Sequence, residues 1–450
     1  MNTKIVRIRR IKFLVFFTDI LLLLVSLSLA YSIRFASPIT EAFNHLFIYL
    51  TSFISLCCLY IFGTYDMHNE ENFQSIIFKQ IISISTSSLI SVGFVYLSRT
   101  EISGLLGRGV FLFGNTIYIF ISIFYKYFVY KHLKSIKQKW NWFAFGESKI
   151  LDRLNKDCSS GVQLGSIKVY PTSGDNLSDS SQILSQLENS WSGIILASNS
   201  KLDQKISTLL LHKKLSGEPV TDLFQFYEKF FYKVPVFYID DRWFLSIDGF
   251  SISFSKSSLR FKRLLDLMVS SIVLLLTWPI LLITALLIKL DSQGPVIYKQ
   301  TRTGKDGSTF QIFKFRSMTI NAEKIGGAQW ASQNDNRVTR LGKYLRLFRI
   351  DELPQIFNVF KGEMSFIGPR PERPEFNEML EKQIPYYQLR HLVPPGITGW
   401  AQVLYPYGAS VEDSIEKLQY DLYYIKNYSF ILDLKILFRT VKVIILGKGR

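Results

Sequence analysis

Five long apolar runs, residues 13–33, 46–62, 76–97, 110–130 and 264–288, limit what this 450-residue chain can fold into. About 20 apolar residues rising 1.5 Å each cross the hydrocarbon core of a bilayer. The first four runs therefore predict a four-helix transmembrane region over residues 1–135. The first is too long for the apolar part of a signal peptide and has no small-residue cleavage site, so it is expected to be retained. Asp19 falls inside it and is expected near a helix end or against a neighbouring helix. The segments KIVRIRRIK and YKHLKSIKQKW bracket the four runs. Lysine and arginine favour the cytoplasmic side, and an even number of crossings puts both there. The loop GTYDMHNEENF would share that side and is acidic, a mild misfit.

A mean hydropathy of +0.16 and an aromatic fraction of 15% agree with a chain partly in lipid. The three cysteines, Cys57, Cys58 and Cys158, have no metal-ligand spacing, and their odd number argues against a disulfide framework. Cys57 and Cys58 lie in an apolar run and read as small hydrophobic filler. From 141 to 257 the segments WFAFG, SIKVYP, SGIILAS and VPVFYID read as strands, with a helical pattern at 202–215. This alternation predicts a parallel sheet with flanking helices, a degenerate Rossmann-like domain. Its turn FGESKI carries one glycine, Gly146, where a dinucleotide fingerprint has three, so no bound cofactor is expected there. A regulatory or scaffolding role fits better.

The fifth run has basic flanks at both ends, SLRFKR before it and KLDSQGPVIYKQTR after it, and Trp278-Pro279 near its middle. Proline removes a helix hydrogen bond and clashes with the preceding turn. A re-entrant helix over 264–288 that enters and leaves by one face is expected, making 258–450 a monotopic, mostly α domain.

That last region is dense in arginine and lysine, with Asp351, Glu352, Asp421 and Asp433 among its few acids. Part of the charge suits anionic lipid. Adjacent carboxylates in RIDELPQ and an arginine set between prolines in GPRP have no such use. They suit phosphate chemistry: arginine forks match phosphate oxygens, lysine supplies a point charge, and carboxylates hold a divalent ion. An aspartate can also attack phosphorus and split a transfer into two steps.

KFRSM, DELPQ, GPRP and PGITGWAQV, in this order, resemble the bacterial sugar transferases that act as polyprenyl-phosphate phosphoglycosyl transferases. Four leading membrane helices and a degenerate nucleotide-fold domain resemble the large members used in exopolysaccharide assembly. The resemblance implies a ping-pong reaction on the cytoplasmic face of the bacterial inner membrane. A UDP-sugar gives its sugar-1-phosphate to the enzyme and releases UMP; undecaprenyl phosphate then accepts it. It further implies Asp351 as nucleophile, Glu352 as ligand of an essential Mg²⁺, and Lys314, Arg316 and Arg370 as phosphate-binding residues, with Asp433 at a further acidic position of the site. The bilayer and a homo-oligomer are expected partners, and nucleic acid is not. The chain departs from the family in having Pro394 where lysine or arginine often precedes PGITG, and in LYPYGAS after GWAQV. Two rivals stay open: a glycosyltransferase that moves sugar without its phosphate and releases UDP, and a non-catalytic scaffold for polysaccharide assembly.

Overall fold

The computed structural model describes residues 3–43, 45–65, 72–98, 108–138, 140–160, 166–172, 177–197, 203–239, 243, 256–319, 337–405, 408 and 410–445. The middle of the acidic loop, 66–71, and residues 406, 407 and 409 of the LYPYGAS variant lie outside them. The chain divides into two compact units, Met1–Phe226 and Tyr227–Arg450. The domain boundary expected at 257 falls inside the second.

The first unit begins with helices α1 (Thr3–Phe35), α2 (Ile39–Ala42), α3 (Leu46–Ile61), α4 (Phe73–Ser98) and α5 (Arg108–Gln138). Stretches of α1, α4 and α5, at Arg10–Phe35, Phe73–Gly93 and Gly109–Ile136, are long and apolar enough to cross a membrane. The other apolar helix, α3, has 16 residues, which at 1.5 Å each is shorter than a core of about 30 Å. Large apolar side chains face outward from the bundle, among them Phe17, Leu46, Phe53, Leu89, Phe120 and Phe124. Polar residues face inward, the reverse of a water-soluble helix bundle. Ser55 donates to Ser87 at 3.1 Å, Asn115 to Ser88 at 2.7 Å, and Gln80 to Ser122. Hydroxyls and amides paired in this way join helices that lipid cannot press together. Asp19 is buried against a neighbour: its carboxylate meets Lys126 Nζ of α5 at 2.9 Å and accepts from Tyr118 at 2.8 Å and from Tyr125.

A parallel sheet follows, in the order β2-β1-β3-β4, from β1 (Asn141–Gly146), β2 (Ser166–Pro171), β3 (Gly193–Ala197) and β4 (Val220–Asp222). Helices α6 (Ser148–Ser160), α7 (Leu177–Leu187) and α8 (Gln204–Leu215) connect these strands, and α9 (Leu223–Phe230) follows β4. Phe143, Phe145, Ile183, Leu187, Ile194 and Leu210 form its core. Gly146 has φ +149°, and a Cβ there would sit 2.0 Å from the Ala197 carbonyl oxygen. Strand approach is thus enough to explain this glycine. One expected strand is corrected: VPVFYID forms a 3-10 turn at Val236–Tyr238, and the fourth strand is β4. Its backbone is engaged elsewhere, with Val234 N–H donating to the Gln419 carbonyl at 3.0 Å in the second unit.

The second unit is built on α10 (Lys256–Asp291), a single helix of 36 residues with Pro279 inside it. The expected break at Trp278-Pro279 does not end the helix. Proline removes only the hydrogen bond to the carbonyl four residues back, and Thr277 keeps the preceding turn occupied by donating to Val273 O at 2.7 Å. The middle of α10 is bare, with Leu275 72% exposed and Leu276, Leu282 and Ile283 similar. Both ends are bonded into the unit. Near the start, Arg263 donates to the Val359 and Phe360 carbonyls at 2.6 and 2.9 Å; at the far end, Ile288 packs with Phe315 and Leu345.

The remaining elements are the antiparallel hairpin β5 (Ile297–Thr303) and β6 (Thr309–Phe315), α11 (Arg340–Leu347), the 3-10 turn Ile350–Gln355, α12 (Ile356–Lys361), β7 (Ser365–Ile367), α13 (Pro374–Gln383), the 3-10 turn Tyr387–Leu392, β8 (Gly396–Thr398), α14 (Trp400–Leu404), α15 (Val411–Lys426) and α16 (Phe430–Ile445). β7 and β8 pair in parallel, Ser365 opposite Gly396 and Ile367 opposite Thr398. They bring GPRP against PPGITG so closely that a Cβ on Gly396 would lie 2.0 Å from the Gly368 nitrogen.

Removing one partner of a buried ion pair is worse than removing both, because the survivor stays charged without water. Lys126→Met is therefore expected to cost about 3–5 kcal/mol in the bundle, and Asp19→Asn with Lys126→Met to recover part of it. Unfolding of the purified protein in detergent measures this; a double variant less stable than Lys126→Met would refute the pairing.

Candidate active site

Glu352 is the centre of the site. Its Oε1 accepts from Arg370 at 2.6 Å and Lys314 at 3.3 Å, and its Oε2 from Arg349 at 3.2 Å. Each cation comes from a different segment: Lys314 from β6, Arg370 from the loop after β7, and Arg349 from the turn between α11 and the 3-10 helix. Arg349 has φ +55°, an uncommon conformation for a side chain-bearing residue that persists where surroundings enforce it. It reverses the chain so that Asp351 and Glu352 enter the interior, 9% and 7% exposed. Arg370 retains 34% of its side-chain surface, so the cluster opens to solvent through it.

The two carboxylates differ in electrostatics. Burial would raise the Glu352 carboxyl, but Arg370, Lys314 and Arg349 outweigh it and hold the group well below the usual range. Asp351 is pushed up, first by burial and then by the Glu352 charge beside it. Among the described residues no side chain or backbone N–H donates a hydrogen bond to Asp351. Burial also brings the Lys314 ammonium down to about 8, against the pull of Glu352. The pair thus contains one anion locked in place by cations and one carboxylate left available, the separation of roles seen where neighbouring acids do different work.

Lys314, Arg370, Asp351 and Glu352 come together as the sequence implied. Arg316 and Asp433 do not join them. The Arg316 guanidinium, expected to bind phosphate, instead donates in this structure to Gln293 O at 2.8 Å, Ser292 O at 2.7 Å and Ile288 O at 3.3 Å. It meets one carbonyl in the last turn of α10, where a helix end leaves such groups without partners, and two just beyond the helix. On an alternating strand, Lys314 and Arg316 would share a face, but β6 ends at Phe315 and the chain turns away. Asp433, on α16, accepts from Lys262 at 3.2 Å and from Tyr424 at 2.8 Å. With Asp266, which accepts from Ser365 Oγ and Phe366 N–H at 2.9 and 3.0 Å, it ties the start of α10 to β7. Sequence reasoning missed Arg349, whose signal was its position three residues before Glu352, and Lys262 with Asp266, a lysine and an acid four apart where an apolar run begins.

Residues 257–447 match the model of the bacterial sugar transferase family. An exopolysaccharide production protein of Rhizobium leguminosarum bv. phaseoli is 41% identical over 194 residues, which cover 42% of this chain and 97% of that protein. The chain belongs to the bacterial sugar transferase family. An N-acetylgalactosaminephosphotransferase of Aeromonas hydrophila, named for UDP-N-acetylgalactosamine and undecaprenyl phosphate, is 51% identical over 188 residues, 42% of this chain and 44% of that protein. A UDP-glucose:undecaprenyl-phosphate glucose-1-phosphate transferase of Klebsiella pneumoniae is 49% identical over 187 residues, 40% of this chain and 39% of that protein. The chain thus matches less than half the length of these two relatives. The family membership and the apolar helices mark a bacterial membrane protein. The family segment contains α10 and every residue around Glu352.

If Arg316 caps α10, Arg316→Lys should lower stability by about 2 kcal/mol, the usual scale for stranding buried carbonyls. Thermal unfolding in detergent measures it. A variant as stable as the parent, with weakened nucleotide binding, would return Arg316 to the phosphate site.

Proposed function

We propose that the protein is a membrane phosphoglycosyl transferase that moves sugar-1-phosphate from a UDP-sugar to a polyprenyl phosphate, undecaprenyl phosphate by the names of its relatives. The observation that carries this reading is Asp351, a buried carboxylate that accepts no hydrogen bond among the described residues, beside one gripped by three cations. An Asp351 oxygen attacks the sugar-bearing phosphorus of the UDP-sugar. The bond from that phosphorus to the bridging oxygen breaks, and UMP leaves with the electron pair. A phosphate oxygen of the polyprenyl phosphate then attacks the same phosphorus and breaks the aspartyl bond, which restores the carboxylate and yields the lipid diphosphosugar. Arg370 and Lys314 stabilise negative charge on the phosphoryl oxygens as it develops. Glu352 holds both cations in place.

The donor set, two carboxylates with no third acid, histidine or cysteine grouped with them among the described residues, suits Mg²⁺ arriving with a diphosphate. Asp351 and Glu352 would hold the ion, which would supply charge neutralisation at the transferred phosphoryl group when bound. The product would begin a polysaccharide repeat unit. In this reading α10 is re-entrant and the site lies on the cytoplasmic face of the inner membrane. The attachment of both ends of α10 to one unit supports this, since a spanning helix would carry one end to the other side.

Asp351→Asn is expected to fold and to abolish UMP release, because an amide does not displace UMP; near-parent turnover removes Asp351 from this role. UDP as the nucleotide product would instead favour a direct glycosyltransferase. The pH profile of kcat/KM has two limbs with opposite causes. Activity falls as pH drops through the raised pKa of Asp351, which must be ionised to attack. It falls again as pH rises through about 8, where Lys314 loses its proton. Lys314→Arg should move the alkaline limb upward, since a guanidinium keeps its proton; an unmoved limb assigns it to another group. For topology, a cysteine at Ser308 should be shielded from an impermeant thiol reagent in intact cells, and labelling there would sink the cytoplasmic site.

A further inference from the structure

The backbone that carries Arg370 is gripped by a second buried ion pair. Arg390, in the 3-10 turn Tyr387–Leu392, directs Nη2 to the Arg370 carbonyl at 3.0 Å and to Asp421 Oδ2 at 2.9 Å. Its Nη1 donates to the Tyr387 hydroxyl at 2.5 Å. All three side chains are buried. Asp421, on α15, pairs with Arg390, and burial brings its carboxyl up to about 6 against the arginine's pull. The carbonyls on either side are also engaged: Gly396 N–H donates to Pro369 O at 2.8 Å, and Arg302 Nη1 to Pro371 O at 3.1 Å. Three successive peptide planes of an irregular loop are thereby fixed, and with them the direction of the Arg370 side chain.

We propose that Arg390, backed by Asp421, is a positioning residue for the transfer reaction: it orients the peptide of Arg370 so that the guanidinium meets Glu352 and the transferred phosphate. The inference rests on the phosphosugar-transfer reading. A purely structural arginine would affect stability, and its loss would combine independently with loss of Arg370. A positioning arginine acts only through Arg370, so the two losses should not multiply.

The test is a double-variant cycle on the full-length protein in detergent. UMP release from a UDP-sugar that the parent uses is measured for Arg370→Ala, Arg390→Lys and the combination, beside amide exchange at Gly368, Arg370 and Glu372. Arg390→Lys is expected to lower kcat on the order of 10²-fold, the scale of a small misplacement of a catalytic group, with KM little changed. The combined variant should be no slower than Arg370→Ala by more than about threefold, and exchange should rise at the three amides. Losses that multiply, or unchanged exchange, overturn the proposal. Should Arg390→Lys fail to fold, Asp421→Asn, nearly equal in volume, runs the same cycle. A parent that releases no UMP from any UDP-sugar overturns the transferase reading, and the proposal with it; a working parent with multiplying losses overturns the proposal alone.

Discussion

Glu352 draws a strand, a turn and a loop to one point because it is the anion that three cations share. A chain of net charge +17 has few acids to spend in this way. Without Glu352, Lys314, Arg349 and Arg370 would repel each other across a largely buried space, where screening by water is weak. With it, the cluster remains net positive, and Asp351 beside it accepts no hydrogen bond among the described residues. The same arrangement that compacts the site leaves it short of negative charge, which is what a diphosphate supplies.

The second constraint is the attachment of the membrane helix. Arg263 occupies the carbonyls that end α12, and Arg316 occupies those just beyond the end of α10. Lys262 and Asp266 join the start of α10 to Asp433 and β7. Each contact satisfies polar groups that would otherwise lie buried and unpaired near an apolar phase. Chemistry and lipid contact are therefore parts of one framework. β7, which Asp266 holds, leads within a few residues to Arg370.

The apolar runs were legible because helix length against bilayer thickness is a one-dimensional property, and the carboxylate pair was legible because its neighbours narrow its use. Arg316 was not, since KFR places two cations in one short motif and only the end of β6 decides which faces Glu352. VPVFYID has strand composition, yet β4 takes the place beside β3 and leaves this segment a turn. The place of Asp433 was not legible either, because its partner Lys262 lies 171 residues away in sequence, although Tyr424 is only nine away. Pro279 read as a break, whereas a long apolar helix tolerates the loss of one hydrogen bond.

The Asp19–Lys126 pair also bears on how the bundle is made. Asp19 lies in the first apolar helix, and Tyr125, beside its lysine partner, follows 106 residues later. Synthesis at about 5–20 residues per second separates the two by several seconds or more. During that interval the first helix carries an unpaired acid among apolar residues, a feature that disfavours insertion by up to roughly 2.5–3.5 kcal/mol at a helix centre. The nascent α1 therefore holds this acid without its lysine partner until the last helix of the bundle is made. The order of synthesis makes α5 the element that completes the insertion of α1.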